Sequence, residues 1–233
     1  MKVVTTGKPL KNSYSVLIVE DCKLFSDAVK MVLNLIPKNK PRLKFNIVQA
    51  FDYESGVTKI QETSSKEFFD VVILDIRLGE SKDDKNQSGE KLGELIREHT
   101  PKTKIIVITS YNDGFRINSV IKKLNPEGFL IKNNASDQKV LQKAVLKVVS
   151  GKTHYCDTVD DILRRKNKYT HKLDDIDIKI LYELSNATKM KDMPDYIPLT
   201  ISGIEKRRRR LKEIFEVDSD RGLILQAKAI GFL

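Results

Sequence analysis

Five side chains with reactive or ligand-binding chemistry follow short apolar runs of the sequence. Glu20 and Asp21 come directly after one run, Asp75 ends a second, Thr109 follows a third, and Lys132 follows a fourth. Short runs that are rich in β-branched residues are typical of strands buried on both faces. If these strands are parallel, their carboxyl ends lie at one edge of the sheet, and we expect the five side chains to meet there.

The chemistry of such a group is that of phosphoryl transfer. Three carboxylates so close together repel one another unless a cation joins them. Hard carboxylate oxygens suit Mg²⁺, which keeps some of its waters and leaves positions for phosphate oxygens. A carboxylate can act as a nucleophile toward phosphorus, while a hydroxyl and an ammonium bind the transferred group. The residues therefore predict a phosphoryl-transfer site with Mg²⁺ as its cofactor.

Strand-like and helix-like patterns alternate along the first 150 residues. The predicted strands lie at about 15–19, 45–48, 71–74, 105–108 and 128–131, and the predicted helices at about 23–36, 53–63, 88–99, 115–124 and 136–149. Five βα units in this order predict an α/β fold, a doubly wound five-stranded parallel sheet of the flavodoxin-like type.

The sequence changes character after residue 150. Residues 151–171 are interpreted as a linker with a short helix, because the segment RRKNK at 164–168 is strongly hydrophilic. Beyond it only helical patterns occur, at about 174–184, 190–196, 201–215 and 219–230. The predicted organisation is a domain at 1–150, a linker at 151–171 and a small all-α domain at 172–233.

The order of the strand-end motifs resembles the receiver domain of two-component response regulators. The motifs are VLIVED at 16–21, VVILD at 71–75, IIVITS at 105–110 and GFLIK at 128–132, and the resemblance covers roughly residues 14–150. It implies that a histidine kinase phosphorylates Asp75. It also implies that Mg²⁺ is bound by Asp75, by Asp21 with Glu20 in support, and by the main-chain carbonyl of Arg77.

The resemblance assigns further roles around the phosphorylated carboxylate. Thr109 would donate a hydrogen bond to one phosphoryl oxygen, and Lys132 would pair with another. Phe129 matches an aromatic switch position, although an ordinary core phenylalanine is an alternative reading. The polar insert at 79–89 and Asn133-Asn134 after Lys132 depart from the family's pattern, and the insert bears on the lifetime of the phosphoryl group.

A phosphatase of the haloacid-dehalogenase type is an alternative, because it also uses a strand-end aspartate as its nucleophile. That class needs a second aspartate two residues later as an acid–base group, and Arg77 occupies this position. Without a positioned general acid, turnover by the protein itself would be slow. We therefore expect a phosphorylated switch with at most slow self-dephosphorylation, not an enzyme.

The densest positive charge is the segment KRRRR at 206–210, within a predicted helix. Residues 173–232 resemble the LuxR-type helix-turn-helix of the NarL/FixJ class of regulators, with Thr200 as the N-cap of the recognition helix. Pro194 departs from this pattern, at a helix-breaking cost unless it lies in a first turn. The resemblance implies major-groove contacts for Glu205, Lys206 and Arg209, and phosphate contacts for Arg208, Arg210 and Lys212.

Composition limits the remaining classes of function. The chain has 233 residues, a net charge of +10 and two cysteines, which excludes a disulfide framework. No apolar run is long enough to span a membrane, and no secretion signal is recognisable, so we expect a cytoplasmic protein with no membrane contact.

The resemblance implies several partners. They are a cognate histidine kinase, double-stranded promoter DNA, a second copy of the chain when it is phosphorylated, and RNA polymerase as a further candidate. The alternative is a signalling adaptor whose helical domain binds a protein and not DNA.

Overall fold

The structure is a computed structural model that describes residues 11–63, 68–78, 88–135 and 137–233. Most of the predicted insert at 79–89 lies outside the described residues. The chain divides into two compact units. The first contains the residues up to Ser110 together with Val120–Cys156, and the second contains Tyr111–Ser119 together with Asp157–Leu233.

The first unit is built on a six-stranded parallel sheet with the order β2-β1-β3-β4-β5-β6. Its strands are β1 (Ser13–Val19), β2 (Lys44–Ala50), β3 (Val71–Asp75), β4 (Lys104–Thr109), β5 (Gly128–Ile131) and β6 (His154–Tyr155). The predicted α/β class and the five predicted strands are confirmed. The predicted strand number is wrong, because β6 pairs with β5 through only two residues, too few to give an alternating pattern in the sequence.

Helices connect the strands of this sheet. They are α1 (Lys23–Asn39), α2 (Tyr53–Gln61), α3 (Gly89–His99), α4 (Gly114–Leu124), α5 (Lys132–Ala135) and α6 (Gln138–Val149). Helix α1 packs against α6, and α2 packs against α3, as expected when helices cover both faces of a parallel sheet. The short helix α5 was not predicted, and it begins at Lys132.

The register of the strands aligns their carboxyl ends. Val19 of β1 lies opposite Leu74 of β3, so the residues that follow these two partners, Glu20 and Asp75, lie side by side. Asp75 in turn lies opposite Ile108 of β4. The strands hold this register because Val16–Val19, Val71–Leu74 and Ile105–Ile108 are almost completely buried on both faces.

The second unit is helical within the described residues after Cys156. It contains α7 (Asp157–Thr170), α8 (Asp175–Ser185), a short 3₁₀-helix (Met193–Asp195), α9 (Ile201–Phe215) and α10 (Asp220–Ile230). Thr200 caps α9 as predicted, because its Oγ1 accepts a hydrogen bond of 3.2 Å from the Gly203 N–H. The predicted helix at 190–196 is only the 3₁₀-turn, and Pro194 lies in its first turn, where its missing N–H costs least.

The helix predicted within the linker is longer than expected and spans Asp157–Thr170. Helix α7 runs without a break through residues 164–168, since Arg and Lys are good helix formers and Val159 and Ile162 supply a buried face. Tyr169, near its end, stacks on Phe215 of α9 with the ring centres 4.9 Å apart. The second unit contains all residues from Asp157 onward, and these include most of the segment predicted as a linker.

Candidate functional site

The carboxyl ends of β1, β3, β4 and β5 bring the predicted site residues together. Glu20 and Asp75 are each 2% exposed, and Thr109 is 1% exposed. Asp21 is exposed, and Lys132 is half-buried. The carboxylate oxygens of Glu20, Asp21 and Asp75 lie within 4.8 Å of one another. The structure thus places every predicted strand-end residue at one edge of the sheet.

Lys132 binds two of the three carboxylates. Its Nζ lies 2.7 Å from Asp75 Oδ2 and 2.8 Å from Glu20 Oε1. The same ammonium lies 5.0 Å from the centre of the Phe25 ring, which covers it from α1. The sequence did not point to Phe25, because its position in an amphipathic helix suggests only a core residue.

Main-chain N–H groups orient the two buried carboxylates. The Arg77 N–H donates to Asp75 Oδ1 at 2.9 Å, and the Cys22 N–H donates to Glu20 Oε1 at 3.1 Å. Each donor lies two residues after its acceptor, in the turn that follows the strand. Asp75 therefore uses one oxygen for the main chain and the other for Lys132. A metal-ligand role for the Arg77 carbonyl stays a prediction.

The site concentrates negative charge away from water. Burial raises the pKa of Glu20 to about 7, although the hydrogen bond from Lys132 opposes the shift. Burial raises the pKa of Asp75 as well, again against the effect of Lys132. Burial alone would lower the pKa of Lys132, but the hydrogen bonds to Asp75 and Glu20 raise it. One ammonium thus faces more carboxylate charge than it can neutralise.

This donor set fits a divalent cation. Three carboxylates whose oxygens lie within 4.8 Å of one another can share one hard cation. Asp21 is the exposed member of the group, so its oxygens are accessible to a hydrated ion. Mg²⁺ suits the site best, because it binds through few carboxylates and keeps waters that phosphate oxygens can replace.

Phe129 packs as a core residue. It is 0% exposed, and its ring meets the ring of Tyr155 edge to face with centres 6.4 Å apart. Tyr155 belongs to β6, which the sequence analysis did not predict, so this packing could not be foreseen. A switch role for Phe129 stays a prediction, and so does a hydrogen bond from the Thr109 hydroxyl to a phosphoryl oxygen.

Helix α9 carries the cationic segment at 206–210, and the structure divides its cations into two sets. Four basic side chains of α9 form ion pairs with carboxylates of the second unit. Arg207 pairs with Asp174 at 2.7 Å and with Asp177 at 2.9 Å, Arg210 pairs with Asp177 at 2.9 Å, Lys212 pairs with Asp220 at 2.9 Å, and Arg208 pairs with Asp220 at 3.6 Å. Sequence reasoning missed these acidic partners, which lie far from α9 along the chain.

The second set is exposed and faces away from the core of the unit, whereas Arg210 of the first set is exposed but paired. Glu205, Lys206 and Arg209 are all exposed on the side of α9 away from its buried residues Ile204 and Leu211. Within the described ranges, neither Lys206 nor Arg209 forms an ion pair. These three residues are those for which the sequence predicts major-groove contacts.

The fold and the strand-end site are those of a receiver domain. Residues 16–145 match the response regulator receiver domain, and the chain belongs to this family. A search of curated protein sequences finds no match.

Solved structures of the RcsB response regulator share the fold. RcsB of Salmonella typhimurium is 21% identical with a TM-score of 0.67, and the alignment covers 91% of this chain and 98% of that one. RcsB of Salmonella enterica serovar Typhimurium, bound to the promoter rprA in the presence of the phosphomimetic BeF₃⁻, is 20% identical with a TM-score of 0.60. The alignment covers 93% of this chain and 99% of that one. The isolated receiver domain of that protein is 25% identical with a TM-score of 0.52, and the alignment covers 64% of this chain and 97% of the domain.

No helix among the described residues is long and apolar enough to cross a membrane.

Proposed function

We propose that this chain is a DNA-binding response regulator whose switch is phosphorylation of Asp75 by a histidine kinase. Phosphorylation of Asp75 is supported above all by the position of its carboxylate. It ends β3, lies 2.7 Å from Lys132 Nζ and stands beside the carboxylates of Glu20 and Asp21. The receiver family to which the chain belongs supports the same reading.

The reaction follows from the arrangement of these groups. A carboxylate oxygen of Asp75 attacks the phosphorus of a phosphohistidine, the new O–P bond forms, and the N–P bond breaks. The imidazole leaves and takes up a proton. Lys132, whose Nζ lies 2.7 Å from Asp75 Oδ2, would pair with a negatively charged phosphoryl oxygen. Thr109 would donate a hydrogen bond to another phosphoryl oxygen. Glu20, Asp21 and Asp75 would hold Mg²⁺, which neutralises charge on the transferred group when bound.

Return to the starting state requires attack of water on the phosphorus of the acyl phosphate, which releases the Asp75 carboxylate. Arg77 stands two residues after Asp75, where an acid–base catalyst would be needed for fast turnover. We therefore expect slow self-dephosphorylation, as befits a switch and not an enzyme.

Labelling with a small phosphodonor tests this half of the proposal. The expected result is a single added phosphoryl group, seen in the intact mass, only when Mg²⁺ or a similar cation is present. Asp75→Asn should abolish it. Asp27→Asn, which removes an exposed carboxylate of α1, is the matched control and should label normally. Equal labelling of Asp75→Asn, or full labelling in chelator, would refute the assignment.

The second half of the proposal is that the helical unit binds double-stranded DNA. The exposed side chains of Glu205, Lys206 and Arg209 on one side of α9 support it, since donors and acceptors on such a helix can reach base edges in the major groove. The RcsB structure of the same fold that is bound to a promoter supports it as well. Promoter binding would place the protein in the cytoplasm and near RNA polymerase.

Phosphorylation would act through assembly. One recognition helix contacts only a few base pairs, and two linked copies raise the avidity by about 10²–10⁴ when the geometry permits. We expect a dimer that phosphorylation favours and that binds a two-part site. Sedimentation of both forms, with and without a two-half-site duplex, tests this, and a monomer that binds equally well in both states would contradict it.

The alternative is an adaptor whose helical unit binds a protein. Salt titration of binding to random duplex separates the two, because each phosphate contact releases counterions and gives a slope of about −0.9 in log K against log salt. A chain that binds no duplex at low salt would favour the adaptor.

A further inference from the structure

Asp177 is a buried carboxylate that joins α8 to the cationic helix. It lies in the first turn of α8 and is 0% exposed. Its Oδ1 lies 2.9 Å from Arg207 Nη1, and its Oδ2 lies 2.9 Å from Arg210 Nη1. The same Oδ2 accepts a hydrogen bond of 3.2 Å from the Asp174 N–H. Both oxygens of this carboxylate are therefore used.

Two neighbouring groups complete this carboxylate clamp, which we define as Asp174 and Asp177 with Arg207 and Arg210. Asp174 caps α8 by accepting from the Asp177 N–H at 2.9 Å, and it accepts from Arg207 Nη1 at 2.7 Å. Arg210 Nη2 donates to the Lys172 carbonyl at 2.7 Å. A charge buried as deeply as that of Asp177 is stable only when paired and hydrogen-bonded, and the clamp supplies both conditions.

The clamp restrains α9 at two points. Arg207 and Arg210 are three residues apart, so they project from the same side of the helix. One carboxylate that holds both guanidinium groups resists rotation of α9 about its own axis. The residues left exposed on the adjacent side are Lys206 and Arg209.

We propose that Asp177 is a positioning residue for DNA recognition, which keeps Arg207 and Arg210 on α8 and thereby presents Lys206 and Arg209 to the base edges. The proposal rests on the proposed function, namely that the helical unit binds DNA. It assigns Arg210 to the orientation of α9, in place of the phosphate contact that the sequence predicts. The carboxylate thus contributes to sequence discrimination without touching DNA.

Asp177→Asn should change the salt dependence and the sequence preference of DNA binding in a way that unfolding of the helical unit would not. Asp177→Asn keeps the size and an acceptor for the Asp174 N–H, but it removes the charge that Arg207 and Arg210 share. Arg207 keeps its ion pair with Asp174, whereas Arg210 keeps only its hydrogen bond to the Lys172 carbonyl and becomes freer to reach a phosphate. We expect the salt slope to become steeper by about one unit, because each added phosphate contact contributes about 0.9. We also expect the preference for a selected duplex over random duplex to fall about tenfold or more, since one lost base contact is worth this much.

The matched control is Asp218→Asn, which removes the same charge from an exposed position of the same unit. It should change neither the salt slope nor the preference. The full-length chain is used throughout, and its circular dichroism shows whether each variant is folded. An Asp177→Asn variant that is folded and has the slope and preference of the wild type would overturn the proposal.

A second variant decides the matter if Asp177→Asn does not fold. Arg210→Gln should lower the preference for the selected duplex while leaving the salt slope unchanged. A slope that is flatter by about 0.9, with the preference intact, would show that Arg210 contacts a phosphate and would overturn the proposal. A wild-type chain that binds no duplex would instead refute the proposed function.

Discussion

Gly89 lies directly against the main chain of Asp75, and a Cβ atom built on Gly89 would be 1.9 Å from the Asp75 carbonyl oxygen. The Gly89 N–H donates to the carbonyl of Ile76 at 3.1 Å, so α3 begins in contact with the end of β3. The backbone that carries the Asp75 carboxylate is therefore in contact with the first residue of α3.

Gly89→Ala should disturb the phosphorylation site through this contact. A methyl group at Gly89 cannot be accommodated unless the backbone of β3 or α3 moves, which costs about 1–3 kcal/mol in overpacked interiors. We expect a lower free energy of unfolding in urea titration and slower labelling by a small phosphodonor.

Gly56→Ala is the control for that experiment. Its Cβ would also be too close to a neighbour, at 2.6 Å, but the neighbour is a Leu92 methyl at the end of a flexible side chain. We expect a smaller loss of stability and normal labelling. Two variants with the same loss of stability and the same labelling rate would show that the contact with Asp75 has no special effect.

In the absence of metal, Lys132→Gln should lower the free energy of unfolding of the first unit. The same substitution should raise the affinity of the unit for Mg²⁺. Loss of the ammonium leaves Glu20 and Asp75 without their charged partner, and an unsatisfied buried group costs about 1–3 kcal/mol. Because the ammonium no longer competes with the cation, the Kd for Mg²⁺ should fall. Urea titration in chelator and calorimetry with Mg²⁺ measure the two effects.

Lys123→Gln serves as the comparison, since Lys123 pairs with Glu90 at 3.0 Å. Its Mg²⁺ affinity should equal that of the wild type. A Lys132→Gln variant that binds Mg²⁺ more weakly would mean that the three carboxylates do not form the metal site.

Arg209→Ala should weaken DNA binding by about 1–3 kcal/mol and alter base preference, as expected for the loss of a bidentate contact with guanine. Its stability should not change, because the side chain is exposed. Selection from randomised duplexes measures the preference. Lys179→Ala, which removes one exposed cation from α8, should keep the wild-type consensus. An unchanged consensus for Arg209→Ala would remove it from the base-reading residues.

Asp174→Asn should make the helical unit less sensitive to acid. The hydrogen bond from Arg207 holds the pKa of Asp174 below its usual value, so its stabilisation is present above the unfolded-state pKa and is lost as the pH falls through the lower folded-state pKa. Asparagine caps a helix about as well as aspartate, so the substitution isolates the ion pair. At neutral pH the loss should be about 0.2–1 kcal/mol, the range for exposed pairs.

Unfolding of wild type and Asp174→Asn at pH 7 and at pH 3 checks this prediction. The difference between the two proteins should shrink at pH 3. If the difference in the free energy of unfolding is the same at both pH values, the pair with Arg207 does not set the pKa of Asp174.

The sequence predicted well which strand-end residues lie together, because in a parallel sheet the residues at the carboxyl ends of neighbouring strands share one edge. Glu20, Asp75 and Lys132 each follow or end an apolar run, and the register of β1, β3 and β5 then brings them together.

The partners of the cationic helix could not be predicted in the same way. Asp177 is 33 residues from Arg210, and its acidic neighbours gave the appearance of an ordinary helix N-terminus. Whether a cation on α9 faces solvent or a carboxylate depends on the packing of α8 against α9, to which the sequence pattern gives no guide. Helix α7 was predicted too short for a related reason, since the charges in its second half concealed its continuation.

Strand β6 also affects how the sheet meets other chains. The N–H groups of His154, in β6, and of Cys156, directly after it, donate to the carbonyls of Glu127 and Phe129 at 2.9 Å each. They occupy the side of β5 that would otherwise be open. An open strand edge is a template for edge-to-edge aggregation, and a very short edge strand protects against it. Because β6 has only two residues, it closes β5 and offers a further strand almost nothing to pair with. Strand β6 therefore protects the edge of β5 from pairing with a strand of another molecule.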